Sequence, residues 1–81
     1  GLEMDAVIEH AGSWAGVEIK LSNTKVDEAA RNLLRARDKI LANPAAQNEA
    51  PAFLAVIVGA GDLAYKRDDG VLVIPINCLG A

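Results

Sequence analysis

The sequence predicts an α/β domain with elements in the order β-β-α-β-β-β. Three observations lead there. Apolar and polar residues alternate over 2–9 and again over 14–21, apolar residues recur at helical spacing between 26 and 41, and 53–58 is an unbroken apolar run followed by a second hairpin pattern. With 81 residues, about half of them apolar, the chain has material for one small core and one domain, 1–81.

Each element has its own local reason. In the first run Leu2, Met4, Ala6 and Ile8 share one face; in the second, Ala15, Val17, Ile19 and Leu21 do, and Ala11-Gly12-Ser13 between them is turn material, so the two runs form a hairpin. Thr24 and Asp27 have the spacing of a capping box. Val26, Ala29, Ala30, Leu33, Leu34, Ile40 and Leu41 make an apolar stripe, with Arg31, Arg35 and Lys39 as a basic ridge on the opposite face. Arg37 falls inside the stripe, so its guanidinium must find an oxygen partner or reach water. Asn43-Pro44 ends the helix. The run 53–58 reads as a strand covered on both faces. Residues 64–67 and 71–76 flank Asp69-Gly70, a strong hairpin signal.

Centring the first turn on Ala11-Gly12 sets Glu9 opposite Trp14, Ala6 opposite Val17, Asp5 opposite Glu18 and Glu3 opposite Lys20. The apolar faces then coincide, which predicts that Met4, Ala6 and Ile8 are buried with Val17 and Ile19. The same register gathers Glu3, Asp5, Glu18 and Lys20 into one patch. Two facing carboxylates repel unless a cation lies between them. Lys20 can serve, and so can Mg²⁺, which takes oxygen ligands and is commonly held by one or two carboxylates. Asp5 and Glu18 are therefore the candidate metal ligands, with the carbonyl of Ile19 as a third oxygen. Lys20 is the candidate to orient or deprotonate a water, or to offset charge on a phosphate oxygen. Acid and base alternating on a strand also describe an ordinary solvated sheet face, and residue types alone do not separate the two.

An Asp in one strand, a hairpin turn, then Glu-x-Lys ending the next strand before a helix resembles the signature of the restriction-endonuclease-like, or PD-(D/E)XK, superfamily. More narrowly, LEMDAVIEH, WAGVEIKL and VDEAARNLLRARDKI, followed by FLAVIVGAG, YKRDDGVLVIPI and CLG, resemble the C-terminal domain, catalogued as domain of unknown function 4143, of prokaryotic AAA-type P-loop ATPases. The resemblance implies a mixed sheet and places Asp5, Glu18 and Lys20 on the signature positions. It implies a nuclease-like, Mg-dependent module acting on DNA phosphodiesters, and as partner the ATPase domain of the parent chain. The alternative is a catalytically inactive scaffold for interaction or homo-oligomerisation. Superfamily members usually add an acidic residue from a helix ahead of the first strand; here Glu3 or a residue upstream of Gly1 would have to supply it. The chain lacks an initiating Met and is strand-like within three residues, which predicts a piece of a longer protein truncated at its N-terminus. ATP binding is expected in the part outside these residues.

Composition sets further bounds. The net charge of −3 argues against broad nucleic-acid affinity and leaves Arg31, Arg35 and Lys39 as the candidate phosphate contacts. One cysteine, Cys78, allows no internal disulfide and no zinc cluster, so a reducing, cytoplasmic setting is expected. The longest apolar run is far below the ~20 residues that cross a bilayer, so no membrane is expected as partner. Gly59-Ala60-Gly61-Asp62-Leu63-Ala64 fits the dinucleotide fingerprint in letters, but that motif needs a helix to begin there, and Asp68-Asp69-Gly70 would break it in its second turn. A glycine turn leaving a buried strand accounts for it better. His10 reads as a turn residue, and Trp14 lies on the polar face, either packed under a neighbouring element or free to stack on a base.

Overall fold

The structure is a computed structural model that describes residues 4–43 and 49–79. Five strands, β1 (Ala6–His10), β2 (Ser13–Lys20), β3 (Phe53–Val58), β4 (Tyr65–Lys66) and β5 (Leu72–Pro75), form one mixed sheet in the order β1-β2-β3-β5-β4. Helix α1 (Val26–Ala42) connects β2 to β3, which run parallel. β3 and β5 are also parallel, while both outer pairs are antiparallel hairpins. The α/β class and the element order expected from the sequence are therefore observed.

The first hairpin has the expected register, with Ala6 opposite Val17 and Glu9 opposite Trp14. Its two-residue loop places Ala11 at φ 53° and Gly12 at φ 83°. Positive φ at both central residues is what the twist of a tight hairpin demands, and Ala11 meets that demand against its own Cβ. In the second hairpin Gly70 N–H donates to the Arg67 carbonyl and Arg67 N–H to the Val71 carbonyl, both at 2.9 Å.

Helix α1 starts later than the capping-box pattern suggests. The chain leaving β2 first tightens into a 3₁₀ turn at Asn23–Lys25, where Ser22 Oγ accepts from Thr24 N–H, and α1 itself has no side-chain cap. Asp27 turns instead to Arg67, which also pairs with Asp69 and so clamps the second hairpin to the first turn of the helix. The Arg67 guanidinium holds the Asp27 carboxyl below its ordinary pKa. Arg37, the charge inside the apolar stripe, is half-buried and donates from Nε and Nη2 to Asp38 Oδ1. The helix stops where Asn43 becomes extended, as the residue before a proline must.

The core takes in the face of β2 expected to be open, that of Trp14, Gly16 and Glu18, while Ala15 and Val17 on the face expected inside are buried as well. Val26, Ala29, Ala30 and Leu33 of α1 pack on Trp14, Leu54, Val56, Val58, Val71 and Val73. The parallel register sets Gly16, Glu18 and Lys20 beside Leu54, Val56 and Val58, so the covered face of β2 is the one carrying Glu18. Of the residues expected inside, Val17 is buried and Met4 packs against the core, but Ala6 is exposed and Ile8 and Ile19 are 51% and 50% exposed. A β-α-β crossover between parallel strands puts its helix on the one face that a right-handed connection reaches, whichever face is the more apolar. Trp14 is consequently a core residue, its indole N–H donating to the Glu49 carbonyl at 2.6 Å, and it presents no ring for base stacking.

Two substitutions test this account. Ala11→Asn, which restores the residue preferred in the turn, should stabilise the chain by about 0.5–1 kcal/mol in urea unfolding. At Gly59 an added Cβ would lie 2.6 Å from the Leu21 carbonyl oxygen, a backbone atom that moves only if β2 and β3 part. Gly59→Ala should therefore cost ~1–3 kcal/mol. Unchanged urea midpoints would refute either argument.

Candidate functional site

Glu18 sits in the middle of the sheet, beside Val56 on β3 and under α1, and is 6% exposed. Lys20, two residues further along the same face, brings its Nζ to 3.5 Å from Oε1, with its own side chain about one-third exposed. Oε2 is buried and has no hydrogen-bond partner. Gly16, on the same face, makes room for the end of the Met4 side chain, which would lie 2.8 Å from a Cβ placed there.

Asp5 reaches the site by a different route from the one its register suggests. Below Ala6 the chain bends out of the ladder, so Asp5 and Glu18 are not a paired rung. Asp5 N–H donates to the Val17 carbonyl at 3.0 Å, and its Oδ2 accepts from Ile19 N–H at 2.7 Å. The carboxylate thereby takes up a donor that the ladder leaves over, and it is held beside the residue following Glu18. Asp5 itself is exposed. The result is a one-sided arrangement, with a buried acid, an exposed acid anchored to backbone, and a lysine between core and water.

Burial pushes the Glu18 carboxyl above its ordinary value of 4.5; Lys20 pulls it down and the charge of Asp5 pushes it up again. Asn32, on the flank of α1, also faces this carboxyl and lowers its pKa, although no hydrogen bond closes onto Oε2. Sequence reasoning passed over Asn32. Its signal was a polar residue of low helix propensity bordering the buried stripe.

Among the described residues no group of three or more His, Cys, Asp or Glu gathers to hold a metal, so Asp5 and Glu18 stand as a pair. Glu3 lies outside the described residues. Arg31, Arg35 and Lys39 are exposed on the side of α1 opposite the sheet and share no surface with the acid pair. The segment 59–64 leads into β4 with no helix, so the fingerprint-like glycines open no dinucleotide site; Asn23 and Asn77 instead hold its carbonyls at Ala60 and Gly61. His10 closes the first hairpin opposite Ser13, and Cys78 is exposed. No helix among the described residues is long and apolar enough to cross a membrane.

The sign of the Glu18 shift gives a test. A carboxyl whose folded pKa is raised adds stability below its unfolded value and loses it as pH rises through the folded value. Glu18→Gln should flatten that descent. At pH 7 it should be at least as stable as wild type, to within about 1 kcal/mol, because Lys20 can turn its ammonium to water once the carboxylate is gone. Thermal unfolding between pH 4 and 8 checks this, and a variant that keeps the wild-type pH profile would assign the titration elsewhere.

No curated protein and no solved structure matches the chain. Residues 1–79, nearly its whole length, match the family described as Domain of unknown function (DUF4143). The acid pair and its lysine are thus features of a chain that belongs to the DUF4143 family.

Proposed function

We propose that Asp5, Glu18 and Lys20 form a divalent-cation site of the restriction-endonuclease-like type, and that the chain is the nuclease-like module of a longer AAA-type ATPase acting on DNA. The observation that carries this reading is Glu18 Oε2. An ionisable oxygen buried without a partner costs stability that an apolar side chain on β2 would not, and a second carboxylate beside it raises the cost. A pair of hard oxygens of this kind fits Mg²⁺, which keeps several waters and needs one or two carboxylates from the protein. Asp5 and Glu18 would hold the ion, which when bound supplies a Lewis acid for a phosphoryl group.

The chain's own residues supply the rest. Oδ2 of Asp5 is fixed by Ile19 N–H, which leaves the other oxygen of that carboxylate for a ligand. Val56 and α1 keep water from the inner side of Glu18, strengthening every electrostatic contact there. Lys20 can reach the open side, where an ammonium offsets charge developing on a phosphoryl oxygen. ATP would bind in the part of the parent protein outside residues 1–81.

A second reading, an interaction or homo-oligomerisation scaffold, is favoured by the sheet face turned away from α1. Ile8, Ile19 and Phe53 (39% exposed) are open at the margins of that face, around the buried Ala15, Val17 and Ala55, whereas parallel strands are ordinarily covered on both faces along their length.

A plasmid-nicking assay with Mg²⁺ and Mn²⁺ separates the readings. The 81-residue chain alone should nick little, since two acids bind the ion weakly and the net charge repels DNA. The natural protein carrying it should nick, and Asp5→Ala or Lys20→Ala should lower the rate at least about a hundredfold with the fold retained. Equal nicking by wild type and variants would remove these residues from catalysis, and no nicking with any metal would favour the scaffold.

A further inference from the structure

Lys20 pairs with the carboxylate that a divalent cation beside Asp5 and Glu18 would use. Among the described residues the one ion pair of Glu18 is with Lys20, and at 3.5 Å it is longer than the ~2.7–2.9 Å of a charge-assisted N–H···O bond. Lysine and glutamate are two residues apart on one face of β2, so the stem of Lys20 folds back along the strand to bring its ammonium over the carboxylate. That ammonium satisfies one oxygen loosely and leaves the other bare. A compact dication between Asp5 and Glu18 would neutralise both acids, and a second cation on the same buried carboxylate would then be repelled with little screening.

We infer that Lys20 is a built-in substitute for the cation: its ammonium offsets the Glu18 carboxylate in the metal-free chain and leaves it when a divalent ion binds. The inference rests on the cation-site reading above. Lys20 has somewhere to go, because its side chain is one-third exposed and its four-carbon stem can lift the ammonium into water while staying packed. Binding of the ion and release of the lysine are then one exchange. The same lysine that offsets Glu18 is delivered to the open side, where a phosphate oxygen can meet it.

The test is Mn²⁺ binding to the 81-residue chain, followed by calorimetry and by thermal shift. Lys20→Met should lower the metal-free melting temperature and bind Mn²⁺ roughly three- to tenfold more tightly than wild type, the range expected for removing one competing, partly exposed ion pair. Lys20→Arg keeps the charge and should bind no more tightly than wild type. Lys25→Met changes the net charge equally, at a lysine paired instead with Glu28, and should leave affinity within about twofold. Should Lys20→Met not fold, ¹³C-methylated wild-type protein reports directly, since the Lys20 methyl signal should move to the position of a free lysine on adding Mg²⁺. Binding by wild type with equal or weaker binding by Lys20→Met, or a Lys20 signal that stays put at saturating metal, would overturn the exchange and leave the cation site standing. Absence of Mn²⁺ binding in wild type and Lys20→Met alike would remove both.

Discussion

Parallel pairing of β2 with β3 across α1 is the constraint on which the other features depend. A parallel pair cannot close through a tight turn, so the chain must cross the sheet, and the hand of that crossing decides which face of β2 lies under the helix. Trp14, Gly16 and Glu18 are inside for that reason. Ala29, Ala30 and Leu33 let α1 come close, Leu54, Val56 and Val58 floor the contact, and Gly59 lets the ends of the two strands meet. A residue as polar as Glu18 is held in this layer by its position along β2 rather than by its own preference.

The acid pair is a balance of opposed effects on one carboxyl. Desolvation favours its neutral form, Lys20 and Asn32 favour the ionised form, and Asp5 sides with desolvation. Asp5 is exposed and its Oδ2 has a backbone donor. The two acids therefore differ in kind. One is fastened by its environment to the backbone, and the other has an oxygen that receives no hydrogen bond from the described residues.

How far the sequence could be read follows from where local rules suffice. The bounds of β3 at 53–58, the hairpin register from Ala6–Val17 to Glu9–Trp14, and the placement of α1 were legible because periodicity and turn residues act over short range. Which face of β2 lies under the helix was not. Val17 and Ile19 are as apolar as any core pair, β3 is apolar on both sides, and only the direction of the crossover breaks the tie. Trp14 was misplaced by the same ambiguity, and the bend at Asp5 has no marker in the residue pattern. Of the candidate site, the residues Asp5, Glu18 and Lys20 could be picked out by spacing, whereas the burial of Glu18 and the approach of Asn32 are tertiary facts.

β1 is an edge strand, hydrogen-bonded to β2 alone, and each of its residues is exposed. Its detachment would uncover little apolar surface, whereas lifting β2 or β3 would break the core. Asp5 travels with β1 and Glu18 stays with β2. The integrity of the acid pair is thus governed by fraying of one peripheral strand, an equilibrium separable from global unfolding. Any ligand that clasps both carboxylates would act as a staple on that edge, slowing amide exchange in residues 5–10 while leaving the protection of β3 untouched.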